Sequence, residues 1–117
     1  MSSITIWHNP RCSKSRQTLQ LIVDHGIRPT VVEYLKTPPS AEELSRALAK
    51  LGLEPRDLMR TKEAAYEELG LSDQEMSRAD LLDAMVAHPV LIERPVVFRG
   101  KRAVLGRPPE NVLTLLD

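Results

Sequence analysis

Apolar positions change their spacing several times along this chain, and each change marks an element. Ile4-Thr5-Ile6 is a β-branched run within residues 3–7 and predicts a buried strand. Leu19, Ile22 and Val23 recur at helical spacing and predict a helix that follows Cys12. Gly26 suits a left-handed cap for that helix, with Ile27 packing back against it. Thr30-Val31-Val32-Glu33-Tyr34 is β-rich and predicts a second strand. Strand, helix and strand joined by short links make a βαβ unit, so the two strands are expected to be parallel.

Pro38-Pro39 marks a loop. Ser40 with Glu43 forms a capping box, followed by Leu44, Ala47, Leu48 and Leu51 at helical spacing and by Gly52 as the stop. Pro55 fits the first turn of a short helix carrying Leu58 and Met59. Residues 62–69 are a further helical stretch ended by Gly70. Ser77 with Asp80 caps a run holding Leu81, Leu82 and Met85, which Pro89 ends. Residues 40–88 therefore read as helical, with no strand signal. Beyond Pro95, Val96-Val97-Phe98 and Ala103-Val104-Leu105 flank Arg99-Gly100-Lys101-Arg102, the pattern of a hairpin with a glycine turn. Arg107-Pro108-Pro109 leads into a last helix bearing Val112, Leu113 and Leu116. The order is βαβ, a helical block, then ββα. This predicts an α/β fold with a four-stranded mixed sheet, the thioredoxin-like arrangement, as one domain over residues 1–117 with a helical insertion at about 40–88. Ligands of open α/β sheets sit beyond the carboxyl ends of strands, and that is where Cys12 falls.

Composition narrows the function. Hydrophobic residues make up 42% of the chain and aromatics 3%, so aliphatic side chains must fill the core. Lys and Arg total 16 against 16 for Asp and Glu, so no bulk field argues for nucleic acid or for an anionic membrane surface. The single cysteine excludes an internal disulfide and disfavours a structural zinc site, and no metal-ligand spacing links the three histidines. The N-terminus lacks a signal-peptide pattern and no apolar run approaches membrane-spanning length. The expectation is a cytoplasmic protein in a reducing compartment, with no metal.

Charge is locally segregated around that cysteine, in His8-Asn9-Pro10-Arg11-Cys12-Ser13-Lys14-Ser15-Arg16. A cysteine at a helix N-terminus meets unpaired N–H groups and the positive end of the helix dipole. Both favour thiolate, the nucleophilic form. Ser15 stands where a dithiol motif would carry its second cysteine, so the site is monothiol. Ser15 is open to two compatible readings: donating a hydrogen bond to the thiolate, or capping the first turn. His8 is open to two as well: supporting the thiolate as an imidazolium or hydrogen-bond partner, or a plain loop histidine. His25 and His88 lie at helix ends, where a cation is favourable, and read as structural. Arg60, Arg94 and Arg107 lie in or beside loops. Arg94 and Arg107 each precede a proline, which biases them to extended geometry, and a cis peptide before Pro95 is open. An arginine fork suits a tetrahedral oxyanion. A phosphatase loop would need arginine where Thr18 stands, so that chemistry is disfavoured.

These residues resemble the glutaredoxin-coupled arsenate reductases, the ArsC-type branch of the thioredoxin fold. The resemblance runs nearly end to end. It is carried by Ile4-Thr5-Ile6, by His8-Asn9-Pro10 before Cys12, by Ser15-Arg16 and by Glu33-Tyr34-Leu35-Lys36-Thr37-Pro38-Pro39. It continues through Tyr66-Glu67-Glu68-Leu69-Gly70-Leu71, His88-Pro89-Val90-Leu91-Ile92-Glu93-Arg94-Pro95 and Gly106-Arg107-Pro108. It implies that Cys12 attacks arsenate, that Arg60, Arg94 and Arg107 bind the oxyanion, and that His8 and Ser15 support the thiolate. It also implies a monomer without a bound cofactor, glutathione as co-substrate and glutaredoxin as the protein partner. Having one cysteine, the chain needs thiols from outside to turn over. Arg11, Ser13 and Lys14 replace smaller residues of some arsenate reductases. Two other functions share the fold: an Spx-like regulator that binds RNA polymerase, whose usual redox switch needs a cysteine where Ser15 stands, and a glutathione-dependent thiol oxidoreductase with another substrate.

Overall fold

The computed structural model describes residues 3–116. The chain divides into two compact units. One runs from the N-terminal strand to Thr37 and resumes at Arg94; the other is Pro38–Glu93.

The first unit is built on a four-stranded sheet, β1 (Ile4–Trp7), β2 (Thr30–Val32), β3 (Val96–Arg99) and β4 (Arg102–Leu105), in the order β2-β1-β3-β4. β1 and β2 are parallel, and β3 is antiparallel to both β1 and β4, which makes the sheet mixed as expected. The alternation of β1 decides its two faces. Ile4 and Ile6 look one way and meet Ile22 of α1 (Ser13–Asp24), Val97, and Val112 and Leu115 near the C-terminus. Trp7 looks the other way, and its ring meets Phe98 edge-on with centroids 4.9 Å apart. α1 ends as its glycine predicts: Gly26 has a φ of 79° and Ile27 packs on the Ile22 cluster.

Several elements are shorter than their sequence pattern. β2 stops at Val32 because Lys36 and Thr37 donate to the Glu33 carbonyl and close a turn. Tyr34 is nonetheless buried. In the hairpin Arg99 and Arg102 belong to the strands and pair with each other, leaving Gly100-Lys101 as the loop. Gly100 carries the positive φ, 60°, that so tight a turn requires. The last helix opens as a 3-10 turn, Pro109–Val112, before α5 (Leu113–Leu116); of the anticipated Val112, Leu113 and Leu116 only Val112 is fully buried, and Leu115 is the fully buried leucine.

Gly106 leaves no room for a side chain. A Cβ there would stand 2.5 Å from Thr18 Oγ1 and 2.7 Å from Pro95 Cγ. Thr18 is fully buried and its hydroxyl donates to the Lys14 carbonyl, so it cannot swing aside freely. Gly106→Ala is expected to lower unfolding stability by about 1–3 kcal/mol through overpacking, read as a lower urea midpoint at unchanged slope. The peptides Arg94–Pro95 and Arg107–Pro108, one on each side of this contact in sequence, are both cis.

The second unit comprises α2 (Ala41–Leu51), α3 (Ala64–Glu68) and α4 (Arg78–Ala87) with 3-10 turns at Pro55–Leu58 and Pro89–Leu91. Both sequence capping boxes are present, Ser40 with Glu43 and Ser77 with Asp80. Its interior includes Leu44, Leu48, Leu58, Met85 and Leu91. One feature departs from the purely helical expectation. Met59 and Ile92, each just past a 3-10 turn begun by proline, form an isolated antiparallel bridge. Arg60 N donates to Leu91 O at 2.7 Å and Glu93 N to Leu58 O at 2.6 Å on either side of it. Among the described residues no helix is long and apolar enough to cross a membrane.

Candidate active site

β1 delivers the chain to the site. His8 N donates to Val32 O at 2.8 Å, continuing the parallel pairing by one residue. The Asn9-Pro10 turn then reverses the chain. Asn9 Oδ1 accepts from Arg11 N at 3.0 Å, and Asn9 O accepts from Cys12 N at 3.0 Å. This side-chain turn is what asparagine supplies in such loops. Cys12 is the N-cap of α1, with extended backbone, and its carbonyl accepts from Arg16 N. No acidic residue stands in the first turn of α1. The sulfur is therefore the anionic group at the positive end of that helix.

Cys12 is buried, 8% exposed. Burial pushes its thiol up. The backbone N–H of Ser15, the Arg94 charge, the N–H of Lys14 and the Arg107 charge together outweigh burial and bring it below its ordinary value. Arg107 Nη2 lies 3.9 Å from Cys12 Sγ, while its Nε donates to the Arg94 carbonyl at 2.8 Å. One bond thus holds the guanidinium and the other end of the fork faces sulfur. Arg94 itself is 8% exposed, a depth unusual for arginine. A lowered thiol is charged above its own pKa and neutral below it. Iodoacetamide labelling of Cys12 should therefore rise with pH through a midpoint below that of a free cysteine, and the rate should fall as pH drops through that lowered value. A rate that rises only above pH 8, as for a free cysteine, would contradict the geometry.

His8 and Ser15 stand differently from the imidazolium and hydroxyl-to-sulfur readings. His8 is buried, and its Nδ1 is 2.7 Å from Ser15 Oγ. Burial lowers its pKa, the Glu33 charge opposes this and the Arg16 charge assists it, so the ring is held neutral at pH 7. Ser15 is fully buried; its oxygen meets His8 and accepts from Asn9 N at 3.1 Å. Its bond to the thiolate comes from the backbone N–H. His8 therefore bears on Cys12 at one remove, by fixing the residue whose amide faces sulfur. Arg60 belongs to the second unit, where it forms a half-buried ion pair with Glu63. Asn9 is the organising residue that the reading of the sequence passed over. Its Asn-Pro dipeptide was the available turn signal. Among the described residues no group of three or more His, Cys, Asp or Glu side chains could hold a metal ion. The groups gathered around Cys12, guanidiniums and amide N–H donors, suit an anion.

The fold and the site define a thioredoxin-like protein with a lone activated thiol beside two arginines. Residues 7–115 match the model of the ArsC family. An arsenate reductase of Escherichia coli is 47% identical over 116 residues, 99% of this chain and 82% of that protein. The uncharacterized protein YfgD of Escherichia coli K12 is 49% identical over 114 residues, 97% of this chain and 96% of that one. The solved structure of an arsenate reductase from Vibrio cholerae superposes with a TM-score of 0.95 at 53% identity, covering 97% of each chain. The chain belongs to the ArsC family.

Proposed function

We propose that this protein is an arsenate reductase that uses glutathione and glutaredoxin as thiol donors. The observation that carries the reading is the Arg94–Arg107–Cys12 arrangement within an ArsC-family chain: a lowered thiol, a guanidinium 3.9 Å from its sulfur, and a carbonyl that fixes that guanidinium. Arginine forks neutralise an oxyanion and the charge that develops as sulfur attacks it. Arg60 joins them on the strength of the family resemblance.

The Cys12 thiolate attacks arsenic, an As–S bond forms, and one arsenate oxygen leaves as water after protonation. Glutathione supplies a second thiol to arsenic, with loss of another water. The glutaredoxin thiolate then attacks the glutathione sulfur. The S–S bond of a mixed disulfide forms, the arsenic–glutathione bond breaks, and its electron pair stays on arsenic. Arsenic thereby goes from pentavalent to trivalent while two external thiols are oxidised. Water releases arsenite and restores Cys12. No bound cofactor is required, since both electrons come from these thiols. Ser15 at the position of a resolving cysteine supports this dependence on outside thiols.

The test is arsenate-dependent oxidation of NADPH coupled through glutathione reductase and glutaredoxin. Saturable turnover above the control without this protein supports the reading. Folded protein with no turnover above that control overturns it.

A further inference from the structure

The cations around Cys12 fall into two sets with different surroundings. Arg94 and Arg107 act on the sulfur itself: one is buried, the other faces Sγ, and both lower the thiol. Arg11 and Lys14 flank Cys12 in sequence and are exposed. Neither takes part in any of the ion pairs found among the described residues. Arg16 differs from both, because its guanidinium folds back onto the Pro10 carbonyl at 2.9 Å. Arg11 is also placed by its backbone, whose N–H is held by Asn9 Oδ1. Residues 8–16 contain no acidic side chain to neutralise them, although the whole chain is balanced at 16 against 16. The chain thus presents two solvated cations, outside those ion pairs, beside its only thiol.

From this juxtaposition we infer that Arg11 and Lys14 form a rim that selects a carboxylate-bearing, anionic thiol as the reagent that meets Cys12. The rim acts on the second reactant. It steers the thiol as it approaches, while the inner arginines hold the first anion and the sulfur. Electrostatic steering of this kind raises encounter rates and is lost with salt. The inference deepens the proposed function and rests on Cys12 as its reacting thiol.

The step that tests it needs no arsenic. Cys12 is first converted with dipyridyl disulfide to its thiopyridyl mixed disulfide. An incoming thiolate then attacks the Cys12 sulfur: a new S–S bond forms, the bond to the pyridyl sulfur breaks, and thiopyridone leaves with the electron pair. Its absorbance gives the rate. The probes are mercaptopropionate, mercaptoethanol and cysteamine, whose reacting thiolates are a dianion, a monoanion and a net-neutral zwitterion, each rate corrected for its thiolate fraction. At low ionic strength the wild-type ratio of the mercaptopropionate rate to the cysteamine rate should exceed that of the Arg11→Gln/Lys14→Gln variant by about tenfold. Mercaptoethanol should lose less than mercaptopropionate in the variant, and cysteamine should be nearly unchanged. About 1 M salt should remove most of the difference, since screening then acts over about 3 Å. Equal ratios in the two proteins overturn the rim, as does a parallel loss with all three thiols. Failure of wild-type Cys12 to take up the label at all removes the reactive-thiol reading, and the rim with it.

Discussion

Cys12→Ser is expected to abolish arsenate reduction, by a factor of at least on the order of 10³, down to the background of the coupled assay. At neutral pH a serine hydroxyl has no counterpart to the thiolate that Arg94, Arg107 and the amides of Ser15 and Lys14 stabilise. The amides and guanidiniums would remain, so anion binding should survive while chemistry does not. The fold should survive as well. Cys12 is 8% exposed, the change removes little volume, and serine is a good residue at a helix N-cap. Sulfate or arsenate binding by calorimetry, set beside the turnover assay, separates the two. Substantial residual reduction would mean that another group attacks arsenic. Loss of binding together with loss of turnover would mean that the thiolate itself holds the anion site open.

Arg107 carries the second large effect. Its Nε is tied to the Arg94 carbonyl and its Nη2 faces Cys12 Sγ, so one side chain supplies both a placed charge and a placed fork. Arg107→Ala should raise the Cys12 pKa, because a stabilising charge is removed while burial is not. It should also reduce turnover by about 10²–10³, the usual cost of losing one prearranged donor at a developing oxyanion. The Lys variant separates charge from geometry. It restores positive charge but has no planar fork and no Nε to anchor on the Arg94 carbonyl. Partial recovery of the thiol pKa with little recovery of turnover is the expected pattern. The pKa is read from thiolate absorbance against pH, and turnover from the coupled assay. Full recovery of both by lysine would reduce the role of Arg107 to bulk charge.

The capping residues show how directly local chemistry becomes structure here. Ser40 with Glu43 and Ser77 with Asp80 cap the helices they predict, because each box is closed by atoms only three residues apart. The alternation of Ile4 and Ile6 and the β-branched run near Val31 likewise suffice for strands, and short links suffice for a parallel βαβ pair. The limits of elements are less legible. β2 loses Glu33 and Tyr34 to a turn made by amides that lie beyond the strand pattern. Met59 finds Ile92 as a bridge partner across a separation that no local period encodes.

The site divides in the same way. That the only cysteine would stand as an activated thiol, at a helix start and among cations, was decided by neighbours in sequence, since the helix dipole and the first-turn amides are local properties of the backbone. The tertiary fold alone decided three other matters. Arg107 reaches Cys12 from the far end of the chain, because β3 pairs with β1 and the loop after β4 returns to the cysteine turn. Burial, which no sequence window reports, keeps His8 neutral and turns it to Ser15 instead of leaving it an imidazolium. And the contrast between a buried Arg94 and an exposed Arg11 and Lys14 comes from solvent access, so residues that look alike as letters divide into cations that tune the sulfur and cations that face the solvent.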